Sequence, residues 1–196
     1  MTDTSSAEFF EAKYRTAEDA DPWQFASAAY EQQRYDAILY ALSGRRYQCA
    51  FEPACSVGVL TARLASLCDQ VIACDFSETA VAAAQARCAQ LPNVTVRCRA
   101  LTAEETWSSY DLITLCEIGY YFAADEWRHL VDRMVNGMQP GTVLLASHWL
   151  GTSADHVQGG SAVHQALQHP LLAQSLHERH EHQNGGFLLE RWTRIA

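Results

Sequence analysis

The chain has 196 residues, a formal net charge of −9, 48% hydrophobic residues and 19% charged residues. This balance is typical of a globular protein and excludes a disordered chain. The acidic charge argues against nucleic acid as a partner, because phosphates require a basic surface. No stretch approaches the ~18 apolar residues of a membrane span, and the first residues lack the basic and apolar runs of a signal peptide.

Seven cysteines lie between Cys49 and Cys116, and no two of them have C-x-x-C spacing. Their odd number and their scatter through apolar segments predict reduced, buried thiols in a cytoplasmic protein. His177, His180 and His182 belong to a strand that alternates its faces, so we expect surface residues there and no metal site.

Residues 7–47 predict amphipathic helices with a break at Asp21-Pro22, and we expect residues 1–47 to form an N-terminal helical cap or lid. From residue 48 onward, short apolar strands alternate with helices. The predicted strands cover 49–54, 70–75, 94–100, 110–119 and 142–149, and the predicted helices cover 57–68, 78–90 and 126–138. Ser77 is the expected N-cap of the second of these helices, and Asp125 is expected to open the third.

The end of the chain departs from this alternation. Residues 175–183 and 187–195 flank Asn184-Gly185-Gly186, which predicts an antiparallel hairpin. The preceding alternation implies a mostly parallel sheet covered by helices on both faces. The predicted fold is therefore α/β, a Rossmann-like sandwich that ends in an antiparallel hairpin. This layout resembles the class I methyltransferase fold, and residues 48–196 are expected to form one compact domain.

The loop after the first strand carries small residues at a regular spacing. Glu52 is followed by Ala54, Ser56 and Gly58, which is similar to the acid and G-x-G-x-G pattern of class I methyltransferases. Small residues let a backbone approach a ligand, but Ala and Ser suit such a turn only if their φ angles stay negative. A dinucleotide fingerprint requires its last small residue at Val59, which is bulky. An ordinary β-α turn remains the alternative.

Two further positions support nucleoside binding. The second strand ends in Asp75, where a carboxylate can accept hydrogen bonds from both ribose hydroxyls. The alternative for Asp75 is helix capping or a surface position, because Ser77 follows. The third strand ends in Arg99-Ala100-Leu101, a place where methyltransferases pack and hydrogen-bond adenine.

Residues 51–87 and 110–122, together with 21–35, 144–149 and 161–164, resemble the nodulation protein S-type methyltransferases, which N-methylate a chitooligosaccharide amine. The resemblance implies S-adenosyl-L-methionine as cofactor. It places the following residues around that cofactor: Trp23, Arg34, Glu52, Pro53, Ala54, Cys55, Ser56, Gly58, Asp75, Phe76, Ala100, Leu101, Cys116, Glu117, Ile118 and Tyr121. The alternatives are core packing for Trp23 and a solvated helix face for Arg34.

Methyl transfer requires a nucleophile in line with the methyl group, and an amine must arrive without its extra proton. The candidate catalytic residues are Glu117 after the fourth strand, His148 near the end of the fifth, His164 after a Gly-Gly loop, and Tyr120 as a wall of the acceptor pocket. A histidine at a strand end can equally be a satisfied structural residue.

The sequence therefore predicts an S-adenosylmethionine-dependent methyltransferase that acts on an amine of a small, sugar-like acceptor, as a monomer or a homodimer. The alternatives are an O-methyltransferase of another small metabolite and a catalytically silent cofactor-binding or scaffold protein. The replacement of two loop glycines motivates the silent alternative, and the presence of Glu52, Asp75 and Glu117 argues against it. A nicotinamide oxidoreductase is the weakest alternative.

Overall fold

The computed structural model describes residues 6–180 and 186–196, apart from the side chains of residues 177, 179 and 180. The chain divides between Leu101 and Thr102 into two compact units. Because residues 181–185 and the side chains of His177 and His180 lie outside the described part, the predictions for the hairpin turn and for these histidines are not tested. No helix among the described residues is long and apolar enough to cross a membrane.

The first unit begins with two helices, α1 (Ala7–Thr16) and α2 (Ala29–Leu42), separated by a 3-10 turn at Glu18–Ala20. The break predicted at Asp21-Pro22 is confirmed. The Asp21 carboxylate accepts the N–H groups of Phe25 and Ala26 at 2.9 and 2.8 Å, so the chain turns here instead of continuing the helix.

The remainder of the first unit alternates strands and helices: β1 (Tyr47–Pro53), α3 (Val59–Leu64), β2 (Cys68–Asp75), α4 (Glu78–Arg87) and β3 (Val94–Cys98). The strands are parallel and follow the order β3-β2-β1. Ser77 caps α4 as predicted, because its Oγ accepts the Ala80 N–H at 3.0 Å. The helix predicted over 57–68 is too long, since Cys68 already pairs with Tyr47 in the sheet.

The second unit contains β4 (Leu112–Cys116), α5 (Ala124–Gly137), β5 (Val143–Trp149), α6 (Gly160–Ala166), β6 (Leu172–His180) and β7 (Phe187–Arg194), with 3-10 turns at Trp107–Ser109 and Gly119–Tyr121. Its strand order is β4-β5-β7-β6. β4 and β5 are parallel, and β7 pairs antiparallel with both β5 and β6. The predicted terminal hairpin strands are confirmed.

Helix α5 packs one apolar face inward, and its buried side chains repeat at helical spacing: Trp127, Leu130, Val131, Met134 and Val135. The helix begins at Ala124 with Ala123 as N-cap, one residue before the expected Asp125. Glu126 accounts for this start, because its Oε2 accepts the Ala123 N–H at 3.3 Å.

Candidate functional site

The loop after β1 adopts the left-handed backbone conformation at all three small residues. The φ angles are 53° at Ala54, 48° at Ser56 and 76° at Gly58. A left-handed conformation costs a residue with a Cβ atom ~1–2 kcal/mol. The negative φ that Ala and Ser would favour is therefore absent, and the loop keeps the backbone of a glycine loop although two of its glycine positions hold other residues.

Contacts with α4 and β2 hold this loop in place. A Cβ atom on Gly58 would lie 2.9 Å from the Cβ atom of Ala84, so only glycine fits there. Arg87 Nε donates to the Val57 carbonyl at 2.8 Å. The Ser56 N–H donates to Asp75 Oδ2 at 3.0 Å. The loop is thus tied to the helix and strand that follow it.

Asp75 is buried at the end of β2. Besides the Ser56 N–H, its carboxylate accepts the Ser77 N–H at 3.0 Å. Burial raises the pKa of Asp75, and these backbone hydrogen bonds oppose that rise. Asp75 thus binds the backbone of Ser77, but the N-cap of α4 is Ser77 itself, and Asp75 does not lie at the surface. Each carboxylate oxygen has a second lone pair, so these hydrogen bonds and the predicted ribose contact are compatible.

Glu52, on β1, is 3% exposed. Burial raises the pKa of this carboxyl to about 8, against opposing effects of Thr61 and Arg34. Its Oε2 atom has no hydrogen-bond partner among the described residues. Because buried polar atoms are nearly always paired, this oxygen is a candidate contact for a polar ligand.

Aromatic side chains surround the exposed ring of Phe76, which follows Asp75. Phe10 of α1 meets the Phe76 ring edge-on at 5.9 Å, and Trp23 lies 6.1 Å from Phe10. Trp23 also contacts Tyr14 and Phe25, with ring centroids at 5.3 and 5.6 Å. Trp23 therefore packs on other rings, but it lies half-buried between α1 and α2 and not in the core of a helix. Phe76 keeps enough exposed surface, 39%, to stack on a ligand ring.

Glu11 attaches α1 to the start of α4. Its carboxylate accepts the hydroxyl groups of Ser77 and Thr79, both at 2.6 Å, and the Thr79 N–H at 3.3 Å. These hydrogen bonds lower the pKa of Glu11 to about 2. Sequence reasoning missed this contact, because nothing in the α1 pattern distinguishes Glu11 from the other surface acids.

Arg34 lies inside the first unit and not on a solvated helix face. It is 1% exposed, and its Nε donates to Glu31 Oε2 at 3.0 Å. Its guanidinium also lies over the Tyr35 ring, 5.0 Å from the centroid. Ala100 and Leu101 follow β3, exposed and half-buried respectively, and their adenine contact stays a prediction.

In the second unit, Glu117 follows β4 with a left-handed φ of 54°. Its Oε1 accepts the Trp149 N–H at 2.9 Å, and its Oε2 accepts the Tyr120 hydroxyl. The neighbouring Cys116 and Ile118 are buried. Strained backbone angles recur at functional positions, and here the angle fixes where the carboxylate points.

Carboxylates and aromatic rings gather around Glu117 in an acidic aromatic cluster of Glu117, Tyr120, Tyr121, Asp155 and His156. Burial, together with Asp155 and Glu117, raises the pKa of Tyr121 well above its usual range. The His156 ring stacks on Tyr120 with centroids 3.9 Å apart. Negative charge beside aromatic faces favours a cationic or amine ligand.

His148 and His164 form one hydrogen-bonded row of buried groups. His148 Nε2 lies 3.1 Å from the Gly119 nitrogen, and its Nδ1 lies 3.1 Å from His164 Nε2. His164 Nδ1 lies 2.6 Å from Glu190 Oε2, and Gln174 Nε2 donates to Glu190 Oε1 at 2.8 Å. Both ring nitrogens of His148 are thus engaged within the protein. The described residues contain no group of acids, histidines and cysteines suited to a metal ion.

Glu190 was missed by sequence reasoning although a signal existed. In β7 it alternates with Leu188 and Trp192, and all three are buried. Because a strand turns every second side chain to the same face, an acid between two apolar residues of one face indicates a buried carboxylate.

The strained left-handed backbone of the loop after β1 predicts that glycine at Ala54 or Ser56 stabilises the protein. We expect A54G and S56G each to raise the free energy of unfolding by ~0.5–1 kcal/mol. Glycine removes the energetic cost of the left-handed conformation, and its greater conformational freedom in the unfolded chain offsets part of that gain. Urea unfolding measures this. In the extended strand β1, A50G is the matched control and should destabilise. A loss of stability in both loop variants would contradict the assigned backbone.

The raised pKa of Glu52 predicts a pH dependence of stability. Between pH 4.5 and about 8 the folded chain keeps a proton that the unfolded chain releases. Stability from this group is therefore complete below pH 4.5 and falls as pH rises to about 8, by about 1.4 kcal/mol for each pKa unit. E52Q should lack this slope in urea unfolding followed from about pH 2 to pH 9.

E11Q is the control of opposite sign. The pKa of Glu11 lies near 2, so its contribution is present above pH 4.5 and is lost as pH falls toward 2. E11Q should therefore flatten the acid side of the profile only. An unchanged slope in E52Q would show that Glu52 is ionised when the chain is folded.

Solved structures resemble this chain over almost its whole length. The N-methyltransferase NodS from Bradyrhizobium japonicum WM9, in complex with S-adenosyl-L-homocysteine, superposes with a TM-score of 0.80 at 22% identity, over 96% of this chain and 98% of that chain. A putative methyltransferase from Pseudomonas syringae is 32% identical with a TM-score of 0.71, over 85% of this chain and 100% of that chain. The fold is the predicted Rossmann-like fold of class I methyltransferases.

Curated relatives agree with this assignment. Nodulation protein S of Bradyrhizobium diazoefficiens is 26% identical over 140 residues, which cover 70% of this chain and 65% of that protein. Nodulation protein S of Azorhizobium caulinodans is 30% identical over 107 residues, which cover 54% of this chain and 51% of that protein. The matches thus span between half and two thirds of these relatives. The model of the nodulation protein S (NodS) family matches residues 5–185, and the chain belongs to that family.

Proposed function

We propose that this chain is an S-adenosylmethionine-dependent methyltransferase that N-methylates an amine on a small, sugar-like acceptor. The observation that carries the proposal is the left-handed backbone at Ala54, Ser56 and Gly58. Strained backbone angles of this kind cluster at ligand-binding sites, where the surrounding structure holds them in place. Membership of the nodulation protein S family supports the same activity.

The residues of the first unit fit the proposed cofactor. Oε2 of Glu52 offers a buried acceptor, protonated near neutral pH, for the methionine end. Asp75 offers its remaining lone pairs to the ribose hydroxyls, and the exposed face of Phe76 offers a surface for adenine. When bound, S-adenosylmethionine supplies a methyl group on a sulfonium leaving group.

The acidic aromatic cluster supports an amine as the acceptor. Glu117 and Asp155 attract an ammonium group, and the ring of Tyr121 offers a face to a cation. Glu117 already accepts two hydrogen bonds, so its carboxylate is held in one orientation. Its role is to orient the nitrogen by accepting one of the amine N–H groups, once the ammonium has given its extra proton to solvent water.

The histidines take a different place in this proposal from the one expected on sequence grounds. His148 is fully buried, and its two nitrogens contact Gly119 and His164. A general base must reach the substrate proton with an available lone pair. We therefore propose a supporting role for His148, His164 and the buried Tyr120, whose hydroxyl donates to Glu117, and assign the acceptor contact to Glu117.

Cofactor binding is tested by ligand-induced thermal shifts. S-adenosylhomocysteine should raise the melting temperature and NAD should not, because a ligand that binds only the folded state stabilises it by mass action. F76A should bind ~10-fold more weakly in calorimetric titration, since stacking on a base contributes ~1–3 kcal/mol. As a matched aromatic control, Y40A removes an exposed ring of α2 and should bind normally. A shift with NAD alone would contradict the proposal.

The acceptor is tested by methyl transfer to glucosamine and its oligomers, followed by mass spectrometry. The N-acetylated counterparts are the matched control, because they keep the hydroxyl groups and lack the basic amine. Methylation of the amines alone is expected, and equal methylation of both series would establish O-methylation. E117Q should lower kcat by ~100-fold, the loss expected when the reacting nitrogen is misplaced by about 1 Å, while S-adenosylhomocysteine affinity changes little. Cofactor binding without transfer to any acceptor would favour the silent cofactor-binding alternative.

A further inference from the structure

We propose that His148, His164 and Glu190 form a positioning relay that holds Glu117 in place through the Gly119–Tyr121 turn. The inference concerns residues that do not touch the acceptor, and their effect on methyl transfer rests on the proposed function. The relay joins three elements, β5, α6 and β7, to the turn that follows β4. All three relay side chains are at least 97% buried, with exposures of 0%, 2% and 3%.

Donor and acceptor roles in the relay follow from one backbone group. The Gly119 N–H can only donate, so Nε2 of His148 must accept and carries no proton. A neutral His148 then carries its proton on Nδ1 and donates it to Nε2 of His164. The remaining proton of His164 lies on Nδ1 and points to Glu190. Each proton of the relay therefore has one allowed position.

Tight packing fixes the distances along the relay. A Cβ atom on Gly119 would lie 2.3 Å from Cγ1 of Val163, and a Cβ atom on Gly160 would lie 2.4 Å from the Trp149 carbonyl oxygen. Both glycines allow α6 to approach the turn and the end of β5 closely. Trp127, whose ring also lies beside Gly119, donates its Nε1–H to the Val163 carbonyl at 3.1 Å and so holds α6 near the turn. His164 is thereby brought within hydrogen-bond reach of His148.

The relay ends at the Gly119 N–H, which lies two residues after Glu117 in the chain. His148 accepts the N–H at the start of the 3-10 turn, and the Tyr120 hydroxyl in that turn donates to Glu117. The His148 ring also meets the Tyr120 ring edge-on, with centroids 5.4 Å apart. Glu117 holds a strained left-handed φ, which persists only where the surroundings impose it. The relay supplies such a restraint.

A buried polar row is costly unless every member is paired, and apolar side chains would fill the same space without that cost. The relay contributes orientation, because each of its hydrogen bonds allows only one orientation of the partner group. The relay should therefore restrain the Glu117 carboxylate as well as the Gly119 N–H. The Trp149 N–H, which donates to Glu117 Oε1, reports on that carboxylate independently of any acceptor.

Two substitutions each retain one of the two hydrogen bonds of His148 and remove the other. In H148Q the amide oxygen takes the place of Nε2 and can accept the Gly119 N–H. In H148N the amide lies near Nδ1, so it can reach His164 but not Gly119. Hydrogen exchange followed by NMR should accelerate ~10-fold or more at Gly119 and at Trp149 in H148N, and only a few-fold in H148Q. E117A is the reference variant. In it, hydrogen exchange should accelerate at the Trp149 N–H and stay unchanged at the Gly119 N–H.

A measurement on the unmodified chain stands beside these variants. Long-range ¹⁵N–¹H spectra of the imidazole rings should show His148 protonated on Nδ1 alone and His164 protonated on Nδ1 alone. With a glucosamine oligomer as acceptor, kcat should fall ~10-fold further in H148N than in H148Q, with the same KM for the oligomer and the same affinity for S-adenosylhomocysteine.

The opposite tautomer of His148, or acceleration in H148N at Gly119 with Trp149 unchanged, would overturn the relay. Equal behaviour of H148N and H148Q would overturn it as well. If the unmodified chain transfers no methyl group to any amine, the proposed function fails, and the exchange and tautomer results still decide whether the relay positions Glu117.

Discussion

The backbone of the loop between β1 and α3 is the constraint on which the first unit depends. Ala54 and Ser56 hold left-handed angles that their side chains disfavour, so the surroundings must impose them. Asp75 does so through the Ser56 N–H, and the close contact of Gly58 with Ala84 does so from α4. The end of β2, the start of α3 and the face of α4 are therefore positioned by one short segment.

Four buried acids illustrate how surroundings divide similar groups among different roles. Glu52 keeps an unpaired oxygen and a raised pKa, whereas Asp75 is paired with two backbone N–H groups. Glu31 accepts from Arg34, and Glu190 accepts from His164 and Gln174. Among the described residues Glu52 Oε2 has no partner, which suits a ligand contact, whereas Glu31 and Glu190 are compensated within the protein.

Much of the architecture follows from the sequence because parallel strands are buried runs that alternate with helices. The end of α3 could not be read this way. Residues 65–68 continue its apolar pattern, but Cys68 is taken into the sheet. Propensity likewise favours negative φ at Ala54 and Ser56, and tertiary contacts override it.

The candidate site was predictable where a strand end fixes a position, as for Asp75 and Glu117. Partners supplied by distant elements were not predictable. His148 lies at the expected strand end, but its two ring nitrogens contact Gly119, in the turn after β4, and His164, in α6. No local pattern around residue 148 indicates these contacts.

The attachment of α1 to α4 has a consequence for ionic strength. Glu11 is held chiefly by two hydroxyl groups and one backbone N–H, and added salt screens such short hydrogen bonds far less than it screens pairs of exposed charges. The contact of Glu11 with Arg15 on the same helix is an ion pair at the surface, which added salt screens. The first helix therefore stays docked beside Phe76 in concentrated salt, and the aromatic surroundings of that ring persist where surface ion pairs do not.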